Sequence, residues 1–157
     1  MDSKERKNIL ITCGPGLQQY LQAELQDLGF EIVSSHPGGI ITRGSFIDCM
    51  KLNLYLRTAY SVLYLLKEFR CGSSEALYKQ VSNLPWENII ASEEYLCVLS
   101  RVDTFSINNS MYPSLKVKDA IVDRIHKKTG DRPDSGPDRN KVVVNLFWKK
   151  DKAWISV

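Results

Sequence analysis

The chain has 157 residues, enough for one domain or two small ones. A hydrophobic content of 43% with 10% aromatics supports a packed core and excludes a disordered chain, and the lack of any run of 18 apolar residues excludes a transmembrane helix. The net charge of +3 is unevenly spread: residues 111–157 hold 11 Lys/Arg against 6 Asp/Glu, whereas residues 1–110 hold 10 against 12. Such asymmetry points to nucleic acid or a charged membrane surface, although an ordinary solvated surface shows the same bias.

Met1–Asn8 contains no hydrophobic segment of signal-peptide length. Asn8–Cys13 then reads as a short apolar strand, turned by Gly14-Pro15-Gly16 into a helix with Leu17, Tyr20, Leu21, Leu25 and Leu28 on one face. Gly29 stops that helix. Phe30–Ser34 and Gly39–Arg43 read as strands joined through His36-Pro37-Gly38. A second helix is expected over about 46–59, with Ile47, Met50, Leu54 and Arg57 along one side, and Val62–Phe69 is a fourth strand. The order β-α-β-β-α-β is the ferredoxin-like motif.

After Cys71–Ser74 the pattern resets. Ser74 is placed to cap a helix carrying Leu77, Tyr78 and Val81, followed by a turn at Pro85 and a short helical piece over 86–90. Tyr95–Phe105 is strongly β-prone. In the helix that follows, Val117, Ala120, Ile121 and Ile125 recur at i, i+3, i+4 and i+8 and so share a face, with Lys116, Asp119, Asp123, His126 and Lys127 opposite. Gly130 stands where a C-terminal cap belongs, and Pro133 follows. Val142–Trp148 is apolar at nearly every position, which predicts a central strand buried on both faces. Lys149–Lys152 turns it into Ala153–Val157, a strand cut short by the end of the chain, as in a fragment of a longer protein. Two α/β units are expected, over residues 1–72 and 73–157, with no strand pairing running continuously from Ile40 to Phe105.

Catalytic and metal chemistry is not readable. Gly14-Pro15-Gly16 lacks the third glycine of a dinucleotide loop and no Gly-Lys-Ser/Thr follows, so it reads as a tight strand-to-helix turn. His36 reads as a surface turn residue, and His126 as a solvated residue within reach of a phosphate when protonated. Cys13, Cys49, Cys71 and Cys97 form no Cys-x-x-Cys, and with two histidines they make no zinc site; they read as reduced thiols of a cytoplasmic protein. Glu87, Glu93 and Glu94 read as solubilising residues around an apolar strand. The positive groups are the one concentrated signal. Lys127 and Lys128 at a helix end, with Arg132, Arg139 and Lys141 in the loop beyond, are spaced to hold phosphates in a track.

Several blocks carry a family resemblance: Gly16–Leu25, Gly38-Gly39-Ile40, Asn53–Leu63 and Leu115–Arg124. In this order and spacing they resemble the N-terminal region of bacterial 23S ribosomal RNA guanine-N2 methyltransferases, a ferredoxin-like domain followed by a THUMP domain. The resemblance covers about residues 8–157. It implies an RNA-binding module that positions ribosomal RNA for an S-adenosylmethionine-dependent methyltransferase domain linked downstream. It also implies a chain with no cofactor or catalytic residue of its own. The family's Asn/Asp-Pro-Pro-Tyr/Phe motif is absent, since no two prolines are adjacent.

The resemblance matches Lys116, Lys118, Asp119, Arg124, Arg132 and Pro133; taken with the concentrated positive charge, the expected RNA contacts are Lys116, Lys127, Lys128, Arg132, Arg139, Lys141, Asn109 and Tyr112. Lys116 is the leading phosphate candidate and Tyr112 the leading aromatic for stacking on a base. Trp148 and Trp154 are also available for stacking, but they fall in a hairpin where core packing competes. Lys118 lies beside the apolar stripe. For Arg124 an ion pair with Asp103, Asp119 or a neighbouring carboxylate competes with RNA, and for Arg57 a structural salt bridge does. Asn108 and Asn109, between strand and helix, could donate to phosphate or ribose and are explained equally well as loop formers. A tRNA-binding module of a tRNA methyltransferase or thiouridine synthetase is the alternative RNA reading. A ferredoxin-like ligand-binding or protein-interaction domain is the alternative of another class.

Overall fold

The computed structural model describes residues 5–91, 93–104 and 112–157. They group into two compact units, Asp2–Leu65 and Leu66–Val157. In the first, β1 (Lys7–Cys13), α1 (Gln18–Asp27), β2 (Ile32–His36), β3 (Gly39–Gly44), α2 (Phe46–Tyr55) and the start of β4 (Ala59–Arg70) follow the expected β-α-β-β-α-β order. The sheet order is β2-β3-β1-β4, and each adjacent pair is antiparallel. Strand alternation sets the faces: Ile9, Ile11 and Cys13 are buried, while Leu10 between them is half exposed. Gly39 is required by closeness, because a Cβ there would lie 2.3 Å from the Ile11 carbonyl oxygen.

Helix α2 opens with a capping box. Ser45 Oγ accepts from the Asp48 amide, and Asp48 Oδ2 accepts from the Ser45 amide at 2.8 Å. The helix ends at Tyr55 rather than running to 59. Glu24 Oε2 accepts the amides of Arg57 and Thr58 and the Thr58 hydroxyl, which holds this segment extended and starts β4 at Ala59. The side bearing Ile47, Met50 and Leu54 faces solvent, at 48%, 55% and 81% exposure; Cys49 and Leu52 fill the core instead.

The second unit contains the end of β4, α3 (Ser74–Ser82), a 3-10 turn (Trp86–Asn88), β5 (Leu96–Asp103), α4 (Tyr112–Thr129), β6 (Val142–Lys149) and β7 (Lys152–Ser156). Ser73, not Ser74, caps α3, accepting from the Ala76 amide at 3.2 Å. Strands β5 and β6 are parallel, bridged by α4; β6 and β7 form an antiparallel hairpin. Along the sheet the order is β2-β3-β1-β4-β7-β6-β5, so pairing does run continuously from Ile40 to Asp103, against the sequence expectation. Two compact units persist because β4, twelve residues long, is shared: its first part pairs with β1 and its last part belongs to the second unit. Phe105 lies outside the described residues.

β6 is central but not buried on both faces. Val144, Leu146 and Trp148 are buried, and they alternate with Asn145 and with Phe147, 38% exposed. Trp148 donates from Nε1 to the carbonyls of Cys71 and Lys150, so it is a core residue and not a stacking surface.

Candidate nucleic-acid interface

Helix α4 buries Pro113, Val117, Ala120, Ile121, Val122 and Ile125, a wider stripe than the sequence reading drew. That burial fixes the rotation of the helix and turns Tyr112, Lys116, Asp123 and Lys127 toward solvent along one side. Lys116 folds back so that Nζ lies 5.4 Å from the centroid of the Tyr112 ring. The two leading candidates therefore form one cation–aromatic unit at the start of α4. Asn109 and Asn108 lie outside the described residues.

The other candidates gather at the opposite end. Lys116 and Lys127 are eleven positions apart, roughly 17 Å along the helix. Between them lie two carboxylates already engaged: Asp119 pairs with Lys118 at 3.0 Å, and Asp123 accepts from the Tyr78 hydroxyl at 2.8 Å. That bond to Asp123, with burial, holds the Tyr78 phenol above its ordinary value. The cations thus form two groups separated by the carboxylates of Asp119 and Asp123, not one continuous track.

The second group is built from the helix end and a pinned loop. Gly130 takes φ +86, a conformation that L side chains rarely adopt, and its amide closes onto the His126 carbonyl at 2.9 Å. Pro133 is buried. The Leu96 amide donates to the Asp134 carbonyl, the Gly136 amide to the Leu96 carbonyl, and the Asp138 amide to the Tyr95 hydroxyl. These ties hold Arg132, Arg139 and Lys141 exposed beside the start of β5, with Lys127 and Lys128 exposed on the last turn of α4. The two lysines first offset the negative end of the helix dipole; the arginines carry the surplus attraction for a phosphate.

Arg124 is withdrawn from any ligand. It makes two parallel bonds to Glu87, Nε to Oε2 at 3.0 Å and Nη2 to Oε1 at 2.6 Å. The hydrogen bond from Arg124 holds the Glu87 carboxyl down at about 2. Glu87 is therefore a structural partner rather than a solubilising one, and it stands in for the carboxylates proposed from sequence. Among the described residues the Arg57 side chain is in no ion pair and is exposed. His36 ends β2 with its ring at 3.4 Å from Ser34 Oγ, and His126 is exposed. No group of three or more His, Cys, Asp or Glu is arranged to hold a metal ion, and no helix is long and apolar enough to cross a membrane, among the described residues. The sequence reading missed Phe147, half open on the sheet beside Trp154, with ring centroids 5.4 Å apart.

Comparison with known proteins agrees with this architecture. Residues 8–63 match the RlmL ferredoxin-like domain and residues 71–157 match the THUMP domain. A ribosomal RNA large subunit methyltransferase K/L from Dichelobacter nodosus (strain VCS1703A) is 34% identical over 148 residues, which is 94% of this chain and 20% of that protein. The chain therefore spans about a fifth of that relative. Among solved structures, SMU.472, described as a methyltransferase and crystallised with SAH, aligns with a TM-score of 0.82 at 24% identity, covering 98% of this chain and 41% of that one. TrmN from Thermus thermophilus aligns with a TM-score of 0.72 at 21% identity, covering 98% and 45%. At these identities both establish the fold alone. The chain belongs to the THUMP domain family, its THUMP domain preceded by a ferredoxin-like domain of the RlmL type.

Proposed function

We propose that this chain is the RNA-binding module of an S-adenosylmethionine-dependent ribosomal RNA methyltransferase of the large subunit. It would position 23S ribosomal RNA for guanine-N2 methylation by a covalently linked domain, and act in the cytoplasm. In this reading residues 1–72 form the ferredoxin-like domain and 73–157 the THUMP domain, and neither holds cofactor nor performs chemistry. The observation that carries the reading is the pinned loop after α4, which keeps Arg132, Arg139 and Lys141 exposed next to Lys127 and Lys128 in a chain of the THUMP family. A preordered set of cations loses little conformational entropy on meeting an RNA backbone. Phosphates would be held there and by Lys116, with Tyr112 at the far end of α4; Asn109, which lies outside the described residues, is the remaining proposed contact. Recognition would rest on backbone shape more than on base sequence.

The test is the salt dependence of affinity for a ribosomal RNA hairpin. Each phosphate contact contributes a slope of roughly −0.7 in log K against log salt on single strands, and somewhat more on duplex. A Lys127→Ala/Lys128→Ala/Arg132→Ala triple variant is expected to flatten the slope by about 2 units. Arg6 and Lys7 do not serve as a free-tail control, because Arg6 donates to the Arg43 carbonyl and Lys7 pairs with Glu5. Exposed Arg43, Lys51 and Arg57 of the first unit serve instead. Equal losses in the two triples would reduce the effect to net charge and remove the proposed surface. Absence of binding at low salt by the parent chain would favour the protein-interaction reading.

A further inference from the structure

Strand β6 leaves one aromatic row on the sheet face away from α4. Ser100 of β5 marks the covered face, since its hydroxyl lies 2.6 Å from that of Ser114 on α4, and Ser100 stands in register with buried Leu146. One step along, on the opposite face, Arg101 of β5, Phe147 of β6 and Trp154 of β7 stand in register across three strands. Neighbouring strands are about 4.8 Å apart, so the three side chains span about 10 Å. Phe147 is 38% exposed and Trp154 half-buried, and their rings are tilted by 40° at a centroid distance of 5.4 Å. Arg101 is exposed and, among the described residues, in no ion pair. The flanking rows are Leu99, Asn145 and Ser156 on one side, with Leu99 half-buried and Ser156 buried, and Asp103, Lys149 and Lys152 on the other, with Lys152 held by Glu68 at 3.4 Å.

We infer that the row Arg101–Phe147–Trp154 is a base-stacking site for one unpaired nucleotide of a single-stranded RNA segment. The exposed apolar area is two rings wide, bordered by half-buried Leu99 and Asn145 on one side and by Asp103, Lys149 and Lys152 on the other. That is far below the roughly 800 Å² per partner that a protein interface needs, and it matches the face of a nucleobase. A guanidinium on the same row supplies the charge for the adjoining phosphate and a second plane for stacking. The row lies about five residues along β6 from the pinned cationic loop, roughly 17 Å, so it is a separate contact. The inference rests on the module being an RNA binder, but not on where the phosphate track runs.

The protein carries its own probe. Trp86 and Trp148 are fully buried, so a base stacking on the surface changes the emission of Trp154. Titration with single-stranded hexa-adenylate is expected to quench tryptophan emission, whereas a ribose-phosphate strand of equal length without bases does not. Phe147→Leu keeps an apolar side chain in a half-open position, and circular dichroism checks its fold. This variant is expected to bind hexa-adenylate about tenfold more weakly with the salt slope unchanged. Arg101→Ala is expected to lower the slope by roughly 0.7. Equal quenching by the baseless strand, or parental affinity in Phe147→Leu, would overturn the assignment. The Lys127/Lys128/Arg132 triple variant separates the two readings. If it leaves the slope untouched while quenching and the Phe147 effect persist, the phosphate track fails and the stacking site stands; the reverse result leaves the track and removes the site.

Discussion

Glu87 and Arg124 meet from a 3-10 turn and the middle of α4, and their two-bond geometry is the strongest polar contact described in the second unit. Both side chains are mostly shielded, so Glu87→Ala is expected to cost about 1–3 kcal/mol in urea denaturation. The pH dependence follows from the direction of the shift. The folded carboxyl lies at about 2, below its ordinary value of 4.5, so the stabilisation is complete above the ordinary value and is lost as pH falls toward 2. The gap between parent and variant should therefore be constant at neutral pH and close on acidification below about pH 4. This pair was half legible. Arg124 on an otherwise sorted helix invited a carboxylate partner, but nothing in the spacing of residues 87 and 124 selects Glu87 over Asp103 or Asp119.

At the scale of the element, α2 shows what periodicity leaves open. Ile47, Met50 and Leu54 are spaced as one helical stripe, yet Cys49 and Leu52 are apolar as well, so two faces competed for the core. The capping box and the position of β4 decide in favour of Cys49 and Leu52, whose thiol and side chain pack under Val62 and the strands. Met50→Lys is expected to shift stability by no more than about 0.5 kcal/mol, whereas Leu52→Ala is expected to cost about 2–5 kcal/mol in thermal or urea unfolding. Comparable losses at the two positions would contradict the orientation of the helix. Helix α4 was legible for the opposite reason: its polar residues leave a single apolar side, so Val117, Ala120, Ile121 and Ile125 could be assigned to the core from spacing alone. The loop beyond it was legible in charge but not in form, because its anchor, the hydroxyl of Tyr95, comes from a distant segment.

For the molecule as a whole, the element order in both halves followed from strand and helix periods. The continuity of pairing through β4 did not, because a strand shared by two compact units has the same residue pattern as one that ends a domain. The four cysteines are a molecule-wide check on packing. All are free and buried, and burial pushes the thiols of Cys49 and Cys71 up to about 11. Reaction with a thiol reagent at pH 8 is expected to be slow in the folded protein and to titrate four groups after denaturation. Rapid labelling of one or more native thiols would place that cysteine at the surface.

The parallel pairing of β5 with β6 also sets an order in time. Hairpins β2–β3 and β6–β7 close locally, at His36 with Gly39 and at Lys149 with Lys152. Leu96 meets Val142 only after the whole of α4 and its loop have been made, and such non-local closure is slow. During synthesis β5 therefore waits with an unsatisfied edge while the first unit already has every strand it needs. In pulsed hydrogen exchange, amides of β1 and β3 should gain protection before those of β5. Protection of β5 in the earliest phase would mean that it finds another partner first.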